Sequence, residues 1–244
     1  MQILKRYLTL AFTFLIASCQ FEGESNNYQT LFEDSFGNDS QGEYQKNIIQ
    51  LPPPEGLGYT YKVLEGGHLP TKWILADELS PTDPKKGFWV IPADSGYLEQ
   101  GGRSHNSVLF ANTPIPPEAK GFTIKFKQYR GDNDPITYVL GATEPAWDQG
   151  FELGYMSQVP GTDSTTNNAY IIGALGETMV EDMAYNHEWA DHMIRAENDT
   201  LAWYVNDQLL IKKYADRPMD GYFGIRHRYE RGTRYDDVVV MIEK

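Results

Sequence analysis

The chain has 244 residues, 41% of them hydrophobic and 23% charged, enough to fill the core of one large domain. A mean hydropathy of -0.50 excludes a multi-span membrane protein, and a single Cys excludes a disulfide scaffold or a Cys-rich zinc site. A formal net charge of -13 would repel a phosphate backbone, so nucleic acid is not an expected partner.

The N-terminus reads as an address. Lys5 and Arg6 precede an apolar stretch, Tyr7 to Ala17, that is too short to span a bilayer as an ordinary helix. It ends in Ile16-Ala17-Ser18-Cys19, which resembles the lipobox of bacterial lipoproteins. The resemblance implies that residues 1–18 are a signal peptide and that Cys19 is lipidated. It would place the protein in the cell envelope, on a face of the outer membrane, touching the membrane through its lipid anchor only. Residues 19–30 are polar and small, with Glu22, Glu24, Asn26 and Asn27, and read as a flexible tether before a domain over 31–244.

From Leu31 onward, short period-two runs alternate with Gly, Pro, Asn and Asp, and no long 3.6-residue period or internal repeat is present. Pro52-Pro53-Pro54 is a connector. Arg103 and His105 share a face as the chain enters the strand Ser107 to Ala111. In Phe122 to Arg130, the set Phe122, Ile124 and Phe126 faces the core and the Lys-bearing set faces solvent. Gln128 and Arg130 extend the core face beyond it, as a groove floor or as a capping salt bridge.

Further strands are expected at Pro135 to Gly141, Phe151 to Met156 and Tyr170 to Ile172. Trp147 sits in the loop Glu144 to Gly150, a candidate for stacking on a sugar ring or an anchor packed on the sandwich edge. Pro160 to Asn168 reads as a polar loop, and Gly176 to Tyr185 as a short helix with Met179, Val180 and Met183 on one face. His192 to Ala196, Leu201 to Val205 and Gln208 to Tyr214 are joined by Asn198-Asp199 and Asn206-Asp207, pairs that tolerate the left-handed backbone of tight hairpins. Trp203 alternates with Leu201 and Val205 and belongs to the core. Gly221 to Arg228 and Asp236 to Ile242 finish the series. The pattern, without βαβ alternation, predicts an all-β fold, a single jelly-roll sandwich of two curved antiparallel sheets.

The C-terminal strings Ala202-Trp203-Tyr204-Val205-Asn206-Asp207, Gly221-Tyr222-Phe223-Gly224-Ile225-Arg226 and Tyr235-Asp236-Asp237-Val238-Val239-Val240 follow in order. They resemble the closing strands of the concanavalin A-like lectin/glucanase superfamily, and Leu31 to Phe36 resembles its first strand, which pairs beside the last. The resemblance implies two curved sheets with a sugar-binding groove. That superfamily holds hydrolases, lyases and binding modules, so it leaves the activity open. The E-x-D-x-x-E strand of its retaining glucanases is missing.

Lys212, Lys213, Arg217, Arg226, Arg228, Arg231 and Arg234 make the last third locally basic, suited to an anionic ligand or to pairing with acidic neighbours. Elimination from a uronic acid needs a group that neutralises the carboxylate, a base near neutral pKa and an acid for the leaving oxygen. His105 is the expected base, and Arg130 and Arg226 the neutralising groups. Arg103, Gln128, Trp147 and Arg228 are the expected substrate contacts. The chemistry requires no cofactor, although Asp34 and Asp236 could hold a structural Ca²⁺ where first and last strands meet. The expected partner is a polysaccharide or oligosaccharide, either degraded as an acidic glycan by lyase-type elimination or bound without catalysis.

Overall fold

The computed structural model describes residues 28–37, 67–68, 70, 72–78, 88–92, 95–101, 106–130, 136–158, 165–171, 178–180, 187–215, 217–227 and 232–244. The signal-peptide reading over 1–18, Cys19 and the Pro52–Pro54 connector lie outside them. Among the described residues no helix is long and apolar enough to cross a membrane.

The first strands are β1 (Tyr28–Asp34), β2 (Gly67–His68), β3 (Trp73–Asp77), β4 (Phe88–Pro92) and β5 (Leu98–Gly101). The middle of the chain gives β6 (Ser107–Ala111), β7 (Gly121–Tyr129), β8 (Ile136–Ala142), β9 (Phe151–Gln158), β10 (Thr165–Ile171) and β11 (Thr178–Val180). Then come β12 (Trp189–Glu197), β13 (Thr200–Val205), β14 (Gln208–Tyr214), β15 (Tyr222–His227) and β16 (Arg234–Glu243). They form the expected all-β jelly-roll sandwich. One antiparallel sheet has nine strands, β14-β13-β12-β7-β16-β5-β4-β2 with β1 also on β16. The other has seven, β11-β10-β9-β8-β15-β6-β3.

The period-two pattern of β7 sets the layering. Phe122, Ile124 and Phe126 turn inward beside Ile194 and Ala196 of β12 and Val240 and Ile242 of β16. They meet Tyr138, Leu153, Phe223 and Ile225 from the seven-stranded sheet. Each such large apolar side chain contributes about 1.5–3 kcal/mol by leaving water. Trp203 is fully buried among them, as its alternation requires. The outer side of the seven-stranded sheet carries a smaller apolar cluster of Val108, Phe110, Val139 and Ala142.

The hairpins close as their residue pairs dictate. Asn198 and Asp199 have φ of 47 and 57°, and Asn206 and Asp207 have 47 and 62°, the left-handed values of a type I′ turn. On β16, Asp236 faces Lys127 but Val239 faces Lys125, so one extra residue bulges with Asp237 at φ 49°. The bulge falls where β16 exchanges β5, paired at Arg234 and Tyr235, for β1, paired from Val238 onward.

Three boundaries differ from the sequence reading. β1 begins at Tyr28, because Tyr28, Gln29 and Thr30 already pair with Glu243, Ile242 and Met241, so residues 28–30 of the expected tether belong to this strand. Residues 165–168 of the expected loop belong to β10. Residues 178–180 of the expected helix are β11, held by Ala169, Tyr170 and Ile171 of β10. Edge pairing supplies these segments with backbone partners that neither composition nor a three-residue spacing reveals.

Candidate functional site

Among the described residues, the sequence-expected site residues Gln128, Arg130 and Arg226 do not come together. Gln128 and Arg130 lie between the sheets, 2% and 0% exposed, instead of flooring a groove. Gln128 Nε2 donates to the Tyr235 hydroxyl at 3.0 Å, and the Arg130 guanidinium lies 4.9 Å over the Tyr155 ring. The inner face of β7 continues to its end because Tyr155 and Tyr235 close over it. Arg226 alternates with inward-facing Ile225 and His227 and therefore points out of the other side of the seven-stranded sheet. That sheet separates Arg130 from Arg226. Arg103, His105 and Arg228 lie outside the described residues.

Two histidines of the core are held neutral. Burial lowers the pKa of His192 to about 3, and burial together with the positive charge of Arg130 lowers His227 to about 3. Trp203 Nε1 donates to His192 Nδ1 at 3.3 Å, so the imidazole serves as an acceptor in the core.

Arg226 is a structural clamp. Its Nη1 binds the Glu152 carboxylate and its Nη2 donates to the Trp147 carbonyl, while Thr137 Oγ1 donates to Glu152 at 2.8 Å. This buried pair fastens the loop that carries Trp147, whose side chain remains 37% exposed. Gly150 ends that loop at φ 80°, where a Cβ would stand 2.6 Å from the Leu140 carbonyl oxygen. The basic segment read from the sequence is thus no single patch, since Arg226 and Arg234 belong to different sheets and each has a carboxylate partner.

The acids expected to hold Ca²⁺ are engaged by protein donors. Asp34 Oδ1 accepts from the Phe36 N–H at 3.0 Å and Oδ2 from Trp73 Nε1 at 2.8 Å, which uses both oxygens inside the core. Asp236 Oδ1 accepts from the Asp237 N–H at 2.8 Å. Among the described residues no group of three His, Cys, Asp or Glu could hold a metal ion.

The outer face of the nine-stranded sheet presents a constellation that the sequence reading missed. Glu99 pairs with Arg234, Arg234 with Tyr129, and Tyr129 with Trp189, one in-register row across β5, β16, β7 and β12. Glu99 is buried and anchors the row. It accepts from Arg234 Nε at 3.2 Å and from the Tyr97 hydroxyl. Burial raises the pKa of Tyr97, Arg234 opposes it and Glu99 reinforces it, so the phenol stays protonated as a donor. The Arg234 guanidinium lies 4.8 Å from the Tyr97 ring and 5.1 Å from that of Tyr129. Trp189 packs 5.9 Å from Tyr129 and 6.3 Å from Tyr97, yet is 44% exposed.

Farther along the same face, a depression of about 380 Å³ is lined by Lys125, Lys127, Asp191, Met193, Tyr204 and Asp237. Lys127 Nζ holds Asp237 at 2.7 Å, and this pair keeps the lysine pKa raised. The row and the depression together offer flat aromatic surface beside fixed polar groups. The available sequence signal was parity: Tyr129 and Trp189 occupy solvent-facing positions of strands that otherwise place Lys and Asp there.

No protein-family model matches the sequence, and no curated protein matches it. Among solved structures the chain is similar to the CBM2 module of the evolved Dit of Lactobacillus casei BL23 phage J-1. The identity is 11%, covering 89% of this chain and 97% of that one, with a TM-score of 0.53. A Bacillus subtilis protein with a galectin-like fold matches at 10% identity over 70% of this chain and 90% of that one, with a TM-score of 0.52. The carbohydrate-binding module CBM66 of Bacillus subtilis matches at 14% identity over 71% and 96%, with a TM-score of 0.48. The fold is a galectin-like jelly roll. This agrees with the concanavalin A-like architecture implied by the closing strands. At such identities the likeness is one of fold.

Proposed function

We propose that this protein is a carbohydrate-binding module that lays a glycan along the outer face of its nine-stranded sheet. The observation that carries the reading is the row Glu99–Arg234–Tyr129–Trp189, which holds an exposed indole rigid on strands instead of on a loop. Sugar rings stack their apolar faces on Trp189 and Tyr129, and hydroxyls bond to the Tyr97 phenol and the charged groups of the depression. The jelly roll also builds the CBM2 module named above. In this reading the N-terminal string ending at Cys19 lipidates the chain and keeps the module at the cell envelope; Cys19→Ser would release it from the membrane fraction.

Binding is favoured over lyase-type elimination because the two arginines chosen to neutralise a uronate lie on opposite sides of the seven-stranded sheet. The test is native affinity electrophoresis and calorimetry against a panel of soluble polysaccharides. Trp189→Ala should weaken binding about 30-fold, the loss of one hot-spot aromatic of about 2 kcal/mol, with an unchanged melting temperature. Release of an unsaturated product absorbing in the ultraviolet, or binding indifferent to Trp189, would refute the reading.

A further inference from the structure

We infer that the glycan taken by this face is neutral, carrying neither uronate nor sulfate. The inference rests on the binding reading above and deepens it. In the row and the depression, Arg234 is committed to Glu99 at 3.2 Å and Lys127 to Asp237 at 2.7 Å, while Lys125 shares the depression with Asp191, Asp207 and Asp237. Lys127 also sits in register between Asp191 of β12 and Asp236 of β16, so it is enclosed by carboxylates on both neighbouring strands. A ligand carboxylate arriving there would have to displace an internal partner from Arg234 or Lys127, or meet Lys125 in a depression whose acids outnumber its lysines.

The whole chain, at -13, adds long-range repulsion of a polyanion. Neutral sugar hydroxyls suit the same groups well. Carboxylates accept from them in charge-assisted hydrogen bonds, and the aromatic rings beside them take the apolar ring faces. The acidic-glycan expectation drawn from the basic C-terminal segment therefore reverses on this face, because Arg226 lies on the other sheet and Arg234 is paired with Glu99.

The test is native affinity electrophoresis of the full chain in gels containing xylan, a β-glucan or galactomannan, set against alginate and polygalacturonate, each at low salt and at 0.5 M NaCl. The expected result is retardation by at least one neutral polymer, lost in Trp189→Ala, and none by the uronates at either salt. Asp191→Lys should add uronate retardation at low salt that disappears at high salt, since the new interaction is a screened surface attraction. Uronate retardation of the unaltered chain that Trp189→Ala removes would overturn the neutral assignment while leaving the binding face intact. Retardation by no polymer, or retardation that ignores Trp189, would overturn the binding reading and this inference with it.

Discussion

His227 Nε2 and the Tyr235 hydroxyl meet at 2.7 Å in the middle of the sandwich, one from each sheet. Gln128 Nε2 donates to the same phenolic oxygen at 3.0 Å, so the phenol bridges the amide and the imidazole. Trp89 closes the group, its ring edge-on to His227 at 4.8 Å and its Nε1 donating to Ser107 at 2.9 Å. The bridge ties β15 to β16 through a polar contact that has no water to fall back on.

Stability should therefore fall steeply in mild acid. His192 and His227 have folded pKa values of about 3, against about 6.5 in the unfolded chain, so between those values only the unfolded state takes up protons. The stabilisation is full above pH 6.5 and is lost as pH falls towards 3. Two such sites give a slope approaching about 3 kcal/mol per pH unit between pH 6 and 5. Urea unfolding at stepped pH measures it, and His192→Gln should about halve the slope in that window. A stability flat across pH 7 to 5 would mean that these imidazoles are open to protons in the folded protein.

Tyr235→Phe tests the same bridge without titration. It keeps the ring against Trp89 and Phe126 but strips the oxygen from Gln128 and His227. Two buried polar groups left without this partner should cost about 2–4 kcal/mol, lowering the melting temperature by on the order of 10 °C. A loss under about 1 kcal/mol would show that those groups find other partners.

Legibility in the sequence followed what each feature depends on. Alternation in β7 and the Asn-Asp turns depend on neighbours in the chain, and both were readable before any coordinates. The pairing of first and last strands came from the resemblance of their ends to one superfamily. The fate of a polar residue depends on the facing sheet, which no local pattern encodes. Gln128 and Arg130 looked like residues emerging from the core, yet Tyr155 and Tyr235, contributed by distant segments, enclose them. The row from Glu99 to Trp189 was invisible for the same reason, being assembled by register across strands far apart in sequence.

Asp34 should prove a structural acceptor and not a calcium ligand. Removing it in Asp34→Ala takes acceptors from Trp73 Nε1 and from the Phe36 N–H, where Phe36 holds an unusual φ of 52°. The cost should be about 3 kcal/mol. Calorimetry of the unaltered protein should give one melting temperature in EDTA and in millimolar CaCl₂. A calcium-dependent rise abolished by Asp34→Ala would restore the metal reading.

The Arg226–Glu152 pair separates two roles that one substitution would confuse. Arg226→Met leaves a buried carboxylate without its cation and should cost about 3–5 kcal/mol, whereas Arg226→Met with Glu152→Leu removes both charges and should recover most of it. The Trp147 carbonyl loses its guanidinium donor in either case. Chymotrypsin should therefore cut after Trp147 faster in the single and double variants alike, although only the single variant is strongly destabilised. If cleavage instead tracks global stability, slowing again in the double variant, then Arg226 does not hold this loop and the carbonyl contact is incidental to the ion pair.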